Sequence, residues 1–243
     1  GFAGGRTIRA VAEAMSDLLA IPHGDDPDEL VFHAMVAGFD DEDFFADPNS
    51  FITYFVNRPY HIKIKFVRLP LPGIIETEHY AKLQEIPSVS AVYARADELD
   101  LIVTSGGIIE DPSSTLQMYW HCVEQSENTN RDDFDSILED KGIVGDLIWQ
   151  PVSRSGPEKL DLDLTINTLI DLDRLAAFVG TDHRVFLILG CSGESNLPKS
   201  NLLQSVLGFD TQLITDLVVD SPTAAGCFST PGRRSQRIRN TPR

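Results

Sequence analysis

A chain of 243 residues with 42% hydrophobic residues is long enough for one large domain with its own core. Its 37 acidic against 20 basic residues leave a formal charge of −17. That balance disfavours autonomous nucleic-acid binding, because neutralising phosphates takes a basic face. No run of about 18 apolar residues occurs, so neither a transmembrane helix nor a membrane partner is expected. No charged segment leads into an apolar stretch as a secretory signal would.

The chain opens in what reads as a loop, so a truncated or processed N-terminus is expected. Thr7–Leu19 follows with Ile8, Val11, Ala12, Met15, Leu18 and Leu19 at helical spacing. Leu30–Gly38 (LVFHAMVAG) is an apolar run of the kind that forms a buried strand. The acidic patch Asp40–Asp43 reads as a loop. Asp47-Pro48-Asn49-Ser50 then supplies capping residues and a helix-start proline. In Ile62–Pro70 (IKIKFVRLP), alternating Lys63 and Lys65 imply one wet face, hence an edge or antiparallel strand.

Leu99–Gly107 (LDLIVTSGG), Asp146–Val152 (DLIWQPV), Arg184–Gly190 (RVFLILG) and Ile214–Asp220 (ITDLVVD) continue the buried-strand pattern. Thr168–Val179 and Pro198–Leu207 read as helices closed by Gly180 and Gly208 at C′, and Ser221-Pro222 opens a last short helix. Alternating strands and helices predict a single α/β domain with a mostly parallel sheet over residues 1–225. Residues 226–243 form a basic tail, expected to be disordered. Its Arg233, Arg234, Arg237, Arg239 and Arg243 carry +5 of the chain's −17, so the remainder carries −22.

Cys122, Cys191 and Cys227 are odd in number and widely spaced, which argues against a disulfide framework or a zinc site and fits a reducing cytoplasm. The six histidines show no metal-ligand spacing, and no P-loop, full GxGxxG, HExxH or GxSxG motif is present. No cofactor is expected. The chemistry is therefore sought in the loops after the strands, where open α/β sheets bind ligands.

Five loops stand out. Gly4-Gly5-Arg6-Thr7 precedes a helix, where glycine lets N–H groups approach an anion; Arg6 adds a forked cation and Thr7 a hydroxyl. A purely conformational turn is the competing reading. Thr104-Ser105-Gly106-Gly107 equally permits a close ligand approach or a capped turn. Gly190–Ser195 leads to Lys199, a cation near a helix start that hints at an anionic partner. Asp146, at the start of an apolar run, either meets sugar hydroxyls or caps a turn. Gly38 and the Asn49 helix start can contact the far end of a ligand.

In that order the loops resemble the sugar-binding effector domain of SorC (DeoR-like) bacterial transcription regulators. GGRT-I-x-x-V-A resembles the family's G-x-T loop, and LIVTSGGIIEDPSSTL its strand running into a Gly-rich loop. KGIVGDLIWQPVSRSG is similar to its G-A-V-G-D stretch, VFLILGCSGESNLPKSNLLQSVL to its G-G-x-x-K segment, and LITDLVVDSPTA to its T-D-E-x-T-A ending. The resemblance spans Gly1 to about Ala225.

It implies a Rossmann-like three-layer fold similar to ribose-5-phosphate isomerase, glucosamine-6-phosphate deaminase and CoA transferases. It further implies a phosphorylated sugar or related metabolite as ligand. Gly5, Arg6 and Thr7 would take the phosphate, with Ser105, Gly106, Gly107 and Lys199 nearby, and Asp146 would face the sugar hydroxyls. A homo-oligomer, dimer or tetramer, is expected, meeting DNA only through a region outside this chain. The chain departs from the family in lacking its helix-turn-helix and the strand before the first glycine loop. The lysine loop is longer, Ser221 stands where an acid is usual, and the Arg-rich tail has no counterpart.

Two functions follow. One is a metabolite-sensing effector domain, without catalytic residues, that controls oligomerisation and DNA binding. The alternative is a sugar-phosphate isomerase or deaminase using Asp146 or Glu194 as base and Lys199 to steady an oxyanion.

Overall fold

The computed structural model describes residues 1–38, 46–56, 58–112, 114–125, 131–160, 162–193 and 195–228. The acidic patch Asp40–Asp43, Glu194 and the Arg-rich tail lie outside the described residues.

Three parallel strands, β10 (Asp216–Val219), β9 (Arg184–Leu189) and β4 (Leu101–Thr104), pair in that order. A second parallel pair joins β1 (Glu29–His33) to β2 (Lys63–Val67). Phe2 bridges both groups in parallel, to Val103 on one side and to Ala34 on the other. Its flanking groups complete the ladder: Ala3 N–H donates to Val103 at 3.0 Å and Phe2 N–H to His33 at 2.8 Å. The strand expected to be missing before the first glycine loop is thus represented by Gly1–Ala3, too short a segment to show as an apolar run.

Both faces of this parallel array are covered. In β9, Val185, Leu187 and Leu189 enter one apolar cluster while Phe186 and Ile188 pack on another. The second cluster holds α1 (Arg6–Leu19), through Ile8 and Ala12, and the 3-10 helix Pro48–Tyr54, through Phe51. The first holds α6 (Leu172–Val179), through Leu172 and Leu175, and α7 (Ser200–Gly208), through Leu202, Leu203 and Val206. Period-two alternation in the strands and helical spacing in α1 are the physical origin of this layering. A fully buried Leu or Phe in such a core contributes roughly 1.5–3 kcal/mol.

A smaller antiparallel unit sits at one end. β5 (Gly106–Ile108), β6 (Ile143–Leu147) and β7 (Gln150–Ser153) pair in sequence order. β3 (Ile74–Glu76) pairs with β8 (Leu164–Ile166). A third core under α4 (Thr115–Gln125) and α5 (Arg131–Asp140) gathers Leu116, Trp120, Phe134 and Leu138. Two further helices, α2 (Thr77–Gln84) and α3 (Pro87–Ala94), connect β3 to β4.

Several readings are corrected. IKIKFVRLP gives an edge strand, but a parallel one; its wet face is matched by Glu29, which pairs with Lys63 at 2.8 Å and Lys65 at 2.7 Å. LDLIVTSGG splits at Ser105 into parallel β4 and antiparallel β5. DLIWQPV is not one strand, because it reverses at Ile148 and Trp149, whose φ values are 49° and 64°. Gly180 does close α6, yet in the right-handed region (φ −69°) rather than the left-handed one. Finally α8 (Ser221–Phe228) opens at Ser221-Pro222 and passes position 225.

Candidate functional site

Gly1–Ala3, β4, β9 and β10 run parallel side by side, so the loops at their carboxyl ends meet. Those loops carry Gly4–Thr7, Ser105–Gly107, Gly190–Gly193 and Asp220.

Gly5 is the N-cap of α1 at φ 108°, a conformation that L side chains rarely adopt. No side-chain cap bond is made at this helix start, and the positive end of its dipole faces the loop. The Thr7 hydroxyl, half-buried, has no hydrogen-bond partner among the described residues. Arg6 is exposed and reaches toward the β9 loop, where its Nη1 lies 3.4 Å from the place a Cβ on Gly193 would take.

Asp146 of β6 is 2% exposed. Its carboxylate accepts from the N–H groups of Gly107 and Trp149, while Oδ2 has no partner. The positive φ at Ile148 and Trp149 is strained backbone, held because Ile148 is buried in the core; it turns the Trp149 N–H back to Asp146. Gly107 is required here, since a Cβ would lie 2.4 Å from Asp146 Oδ2. Burial pushes the Asp146 carboxyl up to about 6, partly offset by the Lys199 charge.

Lys199, N-cap of α7, is 8% exposed, and its Nζ donates to the Gly106 carbonyl at 2.6 Å. Burial lowers its pKa, opposed by the fields of Asp146, Asp111 and Asp220 and reinforced by Arg6. Among the described residues no carboxylate lies within ion-pair distance of it. Gly5, Arg6, Thr7, Gly106, Gly107, Asp146 and Lys199 thus converge, with Ser105 half-buried between β4 and β5.

Gly38 and Asn49 form a separate polar knot. Asn49 Oδ1 accepts from Leu69 N–H at 2.7 Å, and its Nδ2 donates to Asp47 Oδ1 at 2.8 Å and Val36 O at 3.4 Å. A Cβ on Gly38 would lie 2.8 Å from Asp47 Oδ2. The knot is joined to the first loop at Ala46, whose carbonyl accepts from Gly5 N–H at 2.8 Å. With its amide satisfied by protein groups, Asn49 holds the loop against the sheet.

Three site residues were not singled out in the sequence. Asp111, 6% exposed, accepts from the Ser192 hydroxyl, tying the segment after β5 to the loop after β9. Asp220 accepts from Cys191 N–H at 2.7 Å and Thr223 N–H at 2.9 Å, capping α8. These hydrogen bonds, the Thr223 hydroxyl foremost, hold its carboxyl down to about 2. Asp220 directly precedes Ser221, so an acid does stand at this corner. Asp111 and Ser192 lie within stretches whose composition drew attention, but their pairing joins positions 81 residues apart.

Among the described residues, the ligand atoms of Glu76, Glu78 and His79 come within 4.8 Å of one another. All three are exposed, and His79 is paired to both glutamates. No described helix is long and apolar enough to cross a membrane.

No protein-family model and no curated protein matches the chain. Solved structures do. A DeoR family transcriptional regulator from Listeria monocytogenes superimposes with a TM-score of 0.65 at 19% identity, covering 93% of this chain and 78% of that one. The full-length sorbitol operon regulator SorC from Klebsiella pneumoniae gives 0.65 at 15% identity, over 93% and 64%. At these identities the likeness is one of fold.

Proposed function

We propose that this chain is the effector-binding domain of a SorC/DeoR-type transcription regulator, taking a phosphorylated sugar or related metabolite. On this reading the phosphate sits at Gly5, Arg6 and Thr7, Ser105–Gly107 line the floor, and Asp146 and Lys199 meet the sugar. The observation that carries it is the buried, unpartnered Asp146 Oδ2 beside a buried Lys199, at the end of the sheet where an uncapped helix start faces the same loops. Leaving such an acceptor dry costs about 1–3 kcal/mol, which a hydroxyl donor from a ligand would recover. Binding would bias the assembly of a cytoplasmic dimer or tetramer, and thereby DNA binding by a helix-turn-helix outside this sequence. On the same reading the fold is akin to those of ribose-5-phosphate isomerase, glucosamine-6-phosphate deaminase and CoA transferases.

One observation favours a second reading, a sugar-phosphate isomerase or deaminase. A carboxyl brought up to about 6 is poised for proton transfer, and Lys199 lies nearby to steady an oxyanion. Both readings meet the same experiment, a thermal-shift screen of phosphorylated sugars and their unphosphorylated counterparts, repeated with Arg6→Ala. A ligand at a hundred times its dissociation constant adds about 2.7 kcal/mol of stability. A phosphorylated compound that stabilises the wild type alone and is recovered unchanged supports the sensor. Conversion of that compound makes the protein an enzyme, and no shift with any compound contradicts the phosphate site.

A further inference from the structure

We propose that the cleft between α7 and the β6–β7 hairpin is a second binding site, selective for a small metabolite bearing an oxyanion. The cleft measures about 350 Å³ and is lined by Val144, Arg154, Asn201, Gln204 and Ser205. That volume suits a small metabolite. Its lining includes neither Asp146 nor Lys199.

The lining follows from helix geometry. Asn201, Gln204 and Ser205 stand at i, i+3 and i+4, hence on one face of α7, while Leu202, Leu203 and Val206 face the core. Arg154 directly follows β7, its N–H bonded to the Gly142 carbonyl at 3.2 Å, so its Cα is fixed on the opposite wall.

The polar groups point to the class of ligand. Ser205 is 7% exposed, yet its hydroxyl has no hydrogen-bond partner among the described residues. The Asn201 amide and the Arg154 guanidinium also have none among them. Gln204 is anchored, its Nε2 donating to Cys227 O at 2.7 Å, so one wall is held rigid. In a chain of 37 acidic residues, the described lining of this cleft holds one cation, three neutral polar side chains, Val144 and no acid. A planar guanidinium fork beside an amide and a hydroxyl matches the oxygens of a phosphate or carboxylate and repels cations.

Inorganic phosphate titrated into the 15N-labelled chain tests this by NMR, read at the side-chain amides of Asn201 and Gln204 and at Arg154 Nε. The expected result is a saturable shift of the two amide signals, equal in wild type and Arg6→Ala. Affinity should fall at least tenfold in Arg154→Ala and several-fold in Ser205→Ala. Because Arg6→Ala removes the site proposed above, either site can fail without the other. The proposal is overturned by an unsaturable response, by equal shifts with sodium chloride at matched ionic strength, or by a wild-type response in Arg154→Ala. It is equally overturned if Arg6→Ala alone abolishes the shifts, which would make them a report of the first site.

Discussion

The Lys199 ammonium is bound to the carbonyl oxygen of Gly106 at 2.6 Å, and among the described residues not to a carboxylate. It therefore keeps its positive field while being 8% exposed, and that field lies at the mouth of the strand-end loops. A buried cation without an ion pair is costly in the empty protein and favourable once an anion arrives.

Replacing Lys199 by Met removes the charge while keeping most of the volume. Lys199→Met should lower affinity for the sugar phosphate at least tenfold by calorimetry. Its melting temperature should stay within about 4 °C of wild type, because losing one buried hydrogen bond is offset by relief of desolvation. A variant that binds normally would place the lysine in a structural role.

The pH dependence of stability carries two opposed contributions. Asp146 is raised from 3.8 to about 6 on folding, so the native state holds its proton more tightly. Stability from this group is full below pH 3.8 and is lost as pH rises through about 6. The advantage of Asp146→Asn over wild type should therefore grow between pH 4 and 6 and level above, in denaturant titrations.

His33 works the other way. It is 2% exposed, both ring nitrogens lack partners, and burial pushes it down from 6.5 to about 4. Its native state excludes the proton, so stability is lost as pH falls from 6.5 through about 4. The stability gained by His33→Leu should be largest near pH 4 and constant above 7.

Much of this architecture was legible in the sequence. Thr7–Leu19 and Pro198–Leu207 became α1 and α7 because their apolar spacing was explicit, although α7 starts at Ser200 and Gly208, read as its C′ residue, is the last residue of the helix, with Phe209 as the cap. The run at Arg184–Gly190 became the central strand β9, because a strand covered on both faces reads as a continuous apolar segment, and Ile214–Asp220 became the edge strand β10 beside it. The hairpin at Asp146–Val152 was hidden, since its turn uses Ile148 and Trp149 where Asn-Gly would announce a reversal. The helices Thr115–Gln125 and Arg131–Asp140 were passed over although Leu116, Tyr119, Trp120 and Val123 stand at i, i+3, i+4 and i+7; that apolar face packs with Phe134 and Leu138 in one core. Within the site, glycine-rich loops were visible; the Asp111–Ser192 link, made across the fold, was not.

Close backbone approach makes a sharp test of the β5–β6 geometry. A Cβ on Gly145 would lie 2.1 Å from the Gly107 carbonyl oxygen, whereas one on Gly24 would meet nothing within 4 Å. Gly145→Ala should cost about 1–3 kcal/mol by denaturant unfolding. Gly24→Ala should stay within about 0.5 kcal/mol of wild type, as surface substitutions do.

On the proposed reading one ligand joins the Gly5–Thr7 helix start to Asp146. Isothermal titration of the stabilising sugar phosphate, and of its unphosphorylated counterpart, into wild type, Arg6→Ala and Asp146→Asn tests it directly. Each substitution should weaken the phosphorylated ligand at least tenfold, and Arg6→Ala should leave the weaker binding of the unphosphorylated sugar unchanged. Wild-type affinity for the phosphorylated ligand in both variants would contradict it.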